Sequence, residues 1–222
     1  RQQVANAVRT LNEAKVNVYT VSLLHAYARP EEEHNVAEII LEEDPDAYVT
    51  CSVDICPEFR EYERTSTAVV NAAVMPLIDA YLQKLEKRLE LEGYTKRLYI
   101  MQSSGGMMTS SEIRKQPVNI IESGPAAGVV ATQAIGKVLG RENLFSFDMG
   151  GTTAKTALIH EGRIEMSTEY EVGGNTHGAQ GTGGYGAGYP IRGPLMDIVE
   201  VGAGGGSIAW IDEASGLRVG PQ

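Results

Sequence analysis

The chain reads as an α/β fold in which two α/β halves are joined by a crossing helix. Three observations lead there: a β–α–β order within residues 16–53, a helix pattern rich in Ala and Gly after Glu122, and short alternating runs typical of strands from Leu144 onward. A length of 222 residues suits one large domain or two small ones and is ample for a core. Nineteen Lys and Arg against 29 Asp and Glu leave a formal charge of −10, which disfavours non-specific binding to nucleic acid or to anionic membrane surfaces.

In chain order, Val4, Ala7, Val8 and Leu11 fall at helical spacing, and Val16 to Leu24 reads as a buried strand. Pro30 opens a helix over Glu31 to Leu41, with acidic residues at the positive end of its dipole. The cluster Glu31-Glu32-Glu33 with Glu42-Glu43-Asp44 is expected to be a solvated face. Ala47 to Val53 is a second strand, giving a parallel pair with a helix packed on one face. Thr65 to Leu91 is the longest helical pattern. Ala73, Leu77, Tyr81, Leu85 and Leu89 form its apolar stripe, Pro76 is expected to kink or split it, and Gly93 ends it. Arg97 to Gln102 is a strand, Ser103-Ser104-Gly105-Gly106 a turn that reverses the chain or holds an anion, and Ser110 to Lys115 a short helix. Ser123 near the cap and Pro125 in the first turn start the small-residue helix, and the boundary between halves falls within it. The halves are therefore residues 1–122 and 143–222, with 123–142 crossing between them. Leu144–Asp148, Lys155–His160 and Arg163–Tyr170 alternate as strands, with a hairpin turn at Glu161-Gly162. The glycine-dense stretch from Gly173 to Gly193 reads as a loop, either closing over a ligand or linking. No uncharged apolar run reaches the ~18 residues that span a bilayer. Cys51 and Cys56 read as free thiols rather than a zinc pair, and the cytoplasm is the default compartment.

Most of the chemistry lies in Asp148-Met149-Gly150-Gly151-Thr152-Thr153-Ala154-Lys155. A strand ending in a carboxylate, two glycines and two hydroxyls makes a tight turn suited to phosphate. Gly150 and Gly151 admit close approach of main-chain N–H groups, and Thr152 and Thr153 add hydroxyl donors. Asp148 is placed to orient a magnesium ion or its bound water, although an ordinary hairpin has the same signature. Gly124, at the start of the small-residue helix, is a candidate nucleotide contact. Asp197 precedes the Gly202-Ala203-Gly204-Gly205-Gly206-Ser207 loop. It suits a second metal contact and Gly204 and Gly205 a second nucleotide contact, with structural use of the glycines the alternative. Ile208 to Ile211 reads as a strand, so this is no dinucleotide-binding fingerprint. Among the histidines, His177 is the one placed to touch substrate or metal, and His25 reads as a core residue; none has local ligand spacing. No nucleophile elbow is present.

A small-residue helix, a strand and then Asp-x-Gly-Gly-Thr resembles the order in the actin/Hsp70/sugar-kinase ATPases. Phe147 to Lys155, Glu122 to Gly128 and Val201 to Ala209 narrow the resemblance to the hydantoinase A/5-oxoprolinase/acetone carboxylase family. So do Ser22 to Tyr27, Arg60-Glu61-Tyr62-Glu63-Arg64 and Gln102 to Gly106. The resemblance implies an actin/Hsp70-like ATPase fold, here incomplete. It also implies ATP and Mg2+ as cofactors and activation of a cyclic amide or ketone carbonyl. The partner implied is a hydantoinase B-type subunit or domain, in an oligomer when intact. Asp148 is then the metal-facing, catalytic carboxylate, and Gly150, Gly151, Thr152 and Thr153 grip phosphate. Lys155 departs from the Gly-Gly-Thr-Ser-Thr-Asp of some relatives and either neutralises phosphate charge or sits exposed. The family's earlier Asp-x-Gly-Gly-Thr loop does not occur before Asn143, so the expectation is an internal piece that binds ATP poorly alone. An ATP-dependent cyclic-amide hydrolase leads. A ketone carboxylase subunit, a non-catalytic nucleotide-gated module of the Hsp70/actin kind, and a folded piece that binds nothing remain open.

Overall fold

A computed structural model describes residues 1–173 and 188–220 as a mixed α/β molecule. Helix α1 (Gln2–Glu13) leads into strand β1 (Val18–Val21). A 3-10 turn at Ala26–Ala28, helix α2 (Pro30–Glu43) and strand β2 (Tyr48–Cys51) follow. β1 and β2 pair in parallel, Val18 opposite Tyr48 and Val21 opposite Cys51, as the β–α–β order requires. Val8, Tyr19, Val21, Ile40, Cys51 and Val53 close the first core.

Short α3 (Ser52–Ile55) precedes α4 (Glu61–Leu91), which contains Pro76 as one continuous helix, so of the kink or split expected there the split does not occur. The first three positions of the expected apolar stripe also face outward, while Leu85 and Leu89 are half-buried. Ala73 is exposed, and Leu77 and Tyr81 are 71% and 59% exposed. The buried side is instead Arg64, Thr67, Ala68, Asn71, Ala72, Met75 and Leu82. By length and composition α4 could cross a membrane. Its inward polar groups are nonetheless bonded inside the protein: Asn71 Nδ2 donates to Thr50 Oγ1 at 3.1 Å and to the Lys115 carbonyl at 3.0 Å. The solvated acidic run is corrected too, because Glu33 is fully buried. Its carboxylate accepts from Leu23 N at 2.8 Å, Ser52 Oγ at 2.7 Å and Val53 N at 3.0 Å. Arg64, equally buried, donates to Ser52 Oγ at 3.0 Å and to the carbonyls of Glu58 and Leu23, both at 2.6 Å. Ser52 Oγ links the two, accepting from Arg64 and donating to Glu33, so both buried charges have their hydrogen bonds met. Arg60-Glu61-Arg64 is thus part of the scaffold through Arg64. His25, expected in the core, is an exposed residue at φ 59°.

Strands β3 (Tyr99–Met101) and β4 (Met107–Thr109) form a hairpin, so the Ser103–Gly106 turn reverses the chain. Ser103 Oγ is spent on the carbonyls of Asn119 and Ile121. Helix α5 (Ser110–Ile113) starts with a reciprocal Thr109/Glu112 capping box. Helix α6 (Ser123–Leu139) begins after its cap residue Glu122, at φ 68° with no side-chain cap bond, which puts Ser123 next to the cap and Pro125 in the first turn as expected. It ends on Gly140 in the left-handed region.

α6 lies on a sheet ordered β10-β6-β5, with β7 also pairing β6. Its strands are β5 (Leu144–Met149), β6 (Ala154–His160), β7 (Arg163–Ile164) and, later in the chain, Val199–Val201. Ala126 and Val129 of α6 meet Ala157, Ile159 and Met196 in a second core. A Cβ on Gly136 would strike the Leu144 side chain and sit 2.9 Å from the Arg141 carbonyl, so α6 can turn this tightly into β5 only with glycine there. Strand β8 (Met166–Val172) pairs antiparallel with β9 (Tyr189–Met196). The last residues of the expected 173–193 loop, 189–193, are therefore strand; residues 174–187, His177 among them, lie outside the described residues. β9 reaches back to the first half: Arg192 N donates to Thr67 Oγ1 at 2.9 Å and Met196 N to the Ser103 carbonyl at 3.1 Å. Strand β10 (Val199–Val201) then edges β6, and β11 (Ile208–Ile211) with β12 (Leu217–Gly220) makes the last hairpin.

Candidate functional site

Strands β5 and β6 are the two arms of the Asp148 hairpin, and β10 lies on the far side of β6. The register sets Asp148 opposite Lys155 and Lys155 opposite Glu200, so the three side chains form a row on one face of the sheet. The β5–β6 turn and the glycine loop after β10 consequently emerge at the same end. They dock on each other through the main chain. Gly205 N donates to the Gly150 carbonyl at 2.9 Å, and Gly206 N to the Gly151 carbonyl at 2.8 Å. A Cβ on Gly204 would lie 2.7 Å from both Gly150 O and Thr152 N. Gly204 N itself donates to Ser207 Oγ at 3.0 Å. Of the two glycines expected as direct nucleotide contacts, Gly205 has instead spent its amide on holding the hairpin and Gly204 its amide on Ser207 within the loop.

The hairpin turn is closed by Gly150 N donating to the Thr153 carbonyl at 2.9 Å. Among the described residues, the amides of Gly151, Thr152 and Thr153 donate no hydrogen bond, nor do the two threonine hydroxyls. Gly150, Gly151, Thr152 and Asp148 are exposed. The N-terminus of α6 is brought to the same end of the sheet by the contact of Lys155 Nζ with the Glu122 carboxylate; Gly124 there is exposed, with open space at its Cα. Helix N-termini and unpaired turn amides both attract anions. The donors present thus fit phosphate oxygens, and the exposed Asp148 carboxylate beside them fits a hard divalent cation.

Lys155 is neither exposed nor free. Its ammonium pairs with Glu122 and, at 3.6 Å, with Glu200. Burial works against its charge, but the two carboxylates outweigh burial and its pKa is raised. Burial, then Glu122 and Glu200, push the Tyr170 phenol up as well. Glu122, Glu200 and Tyr170 escaped the sequence reading. Glu122 sat in a quoted block, but nothing local ties it to a strand 33 residues later. Asp197 does not join the site. It is exposed and precedes β10, outside the strand register that lines up Asp148, Lys155 and Glu200. Its amide bonds the Glu165 carbonyl at 3.0 Å.

The other face of the same sheet is apolar and open. Phe145, Phe147, Met149, Leu158, Val199 and Val201 are each at least 45% exposed.

The hydantoinase/oxoprolinase family model matches residues 64–222, and the hydantoinase/oxoprolinase N-terminal region matches residues 1–44. An uncharacterized protein of Methanocaldococcus jannaschii is 41% identical over 220 residues, covering 99% of this chain and 32% of that protein. Caprolactamase subunit alpha of Pseudomonas jessenii is 30% identical over 216 residues, covering 97% of this chain and 29% of its own length. The crystal structure of that ATP-dependent caprolactamase superposes with a TM-score of 0.81 at 30% identity, over 99% of this chain and 30% of that one. A nucleotide-free acetone carboxylase superposes at 0.73 and 29% identity, over 100% of this chain and 30% of that one. The chain thus spans about a third of the length of the curated relatives it matches.

Proposed function

The chain belongs to the hydantoinase/oxoprolinase family, and we propose that it supplies the phosphate-gripping hairpin of an ATP-dependent cyclic-amide hydrolase. One observation carries the reading: the unspent donors of Gly151, Thr152 and Thr153 sit on a turn locked from behind by the Gly202–Ser207 loop. A preorganised cradle of main-chain amides stabilises phosphoryl charge without reorganising during reaction. In this reading the fold is actin/Hsp70-like, residues 123–142 cross between its halves, and Gly124 adds an amide at the α6 N-terminus.

An amide carbonyl is a poor electrophile. Transfer of the γ-phosphoryl group of ATP to the carbonyl oxygen releases ADP and makes that oxygen a leaving group. Water then adds at carbon, the ring C–N bond of the adduct breaks to leave an amine and an acyl phosphate, and a second water displaces phosphate, so one ATP and two waters yield ADP, phosphate and an amino acid. A bound magnesium ion would supply neutralisation of the phosphate charge. Asp148 would hold it or its bound water, and the turn amides would orient the phosphate chain. Lys155 keeps Glu122 and Glu200 neutralised beside the anion rather than touching it.

A ketone carboxylase is the second reading, supported by the acetone carboxylase likeness. It stands second because the caprolactamase superposes better, at 0.81 against 0.73. Relatives named as subunits support a hydantoinase B-type partner and an oligomeric assembly. The test is ADP release by the full-length protein with its partner, screened over 5-oxoproline, caprolactam, hydantoins and small ketones. Release driven by a cyclic amide, without bicarbonate, supports the hydrolase. Bicarbonate-dependent release with a ketone selects the carboxylase, and absence of stimulated release by any of them defeats both.

A further inference from the structure

Well away in sequence from the hairpin, three ligating side chains meet in the first half of the chain. An imidazole nitrogen of His34, Sγ of Cys51 and a carboxylate oxygen of Asp54 all lie within 4.8 Å of one another. Each is set on a regular element: His34 on α2, Cys51 at the end of β2, and Asp54 one turn later on α3. His34 Nε2 and Asp54 Oδ1 are 2.8 Å apart, while Cys51 is a free, buried thiol. Cys51 and Asp54 also line an open cleft of about 620 Å³, shared with Tyr48, Met75, Lys115 and Gln116.

We propose that His34, Cys51 and Asp54 bind one zinc-class divalent cation, with its fourth coordination position open to this cleft. The donor set is the reason. Imidazole, thiolate and carboxylate together suit borderline-soft, tetrahedral zinc and not magnesium or calcium, which take oxygen. In such a tetrahedron the ligand atoms stand ~3.3–3.7 Å apart. The trio needs only to open the His34–Asp54 contact slightly and draw Sγ inward. Three protein ligands with a vacant fourth position is the arrangement of zinc sites that keep an exchangeable ligand. Lys115 at the cleft favours an anion, hydroxide or carboxylate, in that position.

Burial, with Asp54 and Glu33 behind it, pushes the Cys51 thiol up to about 12. Without a metal it is an inert thiol; coordination expels its proton to solvent and leaves a bound thiolate. Neither cysteine has a local ligand pattern, so the site arises only when the β–α–β unit folds.

The test is titration of the metal-stripped full-length protein with cobalt(II), followed by zinc. The result expected is one equivalent of tetrahedral cobalt with a thiolate-to-metal charge-transfer band in the near ultraviolet, discharged by zinc. Cys51→Ser removes that band. His34→Ala, at an exposed position, weakens cobalt binding by at least the ~10–100-fold that loss of an outer-shell partner costs. Absence of the band, or a band that survives Cys51→Ser and vanishes in Cys56→Ser, overturns the site. Should Cys51→Ser fail to fold, His34→Ala decides alone, and unchanged cobalt affinity overturns the site equally.

Discussion

Gly204 shows how a single missing Cβ positions the hairpin. The atoms it would strike, Gly150 O and Thr152 N, are backbone and cannot rotate aside. Gly204→Ala is therefore expected to lower stability by ~1–3 kcal/mol, as overpacking does, and to weaken Mg-ATP binding by the full-length protein. Thermal melting and calorimetry measure the two effects; normal nucleotide affinity would show that the interlock is irrelevant to the turn. Lys155 carries the second residue-scale prediction. Removing its ammonium leaves Glu122 and Glu200, both partly buried, without their shared cation. Lys155→Met should cost on the order of 1–3 kcal/mol in urea unfolding. A Lys155→Met/Glu122→Gln cycle should show clear coupling, and strict additivity would argue against the pairing. Because the folded pKa of Lys155 is raised, this contribution is complete below ~pH 10.4. It is lost only as pH rises through the folded value.

At the scale of elements, α4 is anchored by Asp79. Its carboxylate accepts from Arg114 Nη1 at 2.8 Å, Tyr48 OH at 2.9 Å and Gln83 Nε2 at 2.8 Å, tying α4 to β2 and to the residue after α5. Burial alone would raise its pKa, but the bonds from Tyr48 and Gln83 and the Arg114 charge outweigh it and the pKa is lowered. The stabilisation is therefore full above the unfolded value of ~3.9 and drains away as pH falls through the folded one. Asp79→Asn is expected to lose ~1–3 kcal/mol at neutral pH and to flatten the stability–pH curve below about pH 4. Urea midpoints against pH decide it; an unchanged acid limb contradicts it. The same helix explains which parts of the fold were legible. Its extent follows from periodicity and from Gly93. Its buried face does not, because Arg64, Thr67 and Asn71 are polar residues with partners (Ser52 for Arg64, Arg192 for Thr67, and Thr50, Lys115 and Val118 for Asn71) remote in sequence. The Ala73–Leu77–Tyr81 stripe misleads for the complementary reason: apolar spacing shows that a face exists, and not what covers it. Around the candidate site, the strand–turn–strand and its exposed donors were visible in Asp148 to Thr153. The role of Gly204 as a clamp and the pairing of Lys155 with Glu122 depend on the β6–β10 register, which local patterns do not encode.

For the molecule as a whole, one sheet organises both faces of the second half. One face is covered by α6. The other presents Phe145, Phe147, Met149 and Leu158, each more than half exposed. Residues 1–222 on their own are expected to bind a hydrophobic dye, with Phe147→Ser reducing the signal and raising solubility; dye binding unaffected by that change would place the apolar surface elsewhere. At one end of the same sheet, the Asp148 turn, the Gly202–Ser207 loop and the α6 N-terminus come together, and the functional reading depends on their joint geometry. A crystal structure of the full-length protein with a non-hydrolysable ATP analogue and magnesium tests it most directly. The expected result is phosphate oxygens ~3 Å from the amides of Gly151, Thr152 and Thr153, with the Asp148 carboxylate facing the metal or its water. A nucleotide bound elsewhere, with those amides still turned to solvent, would contradict the account.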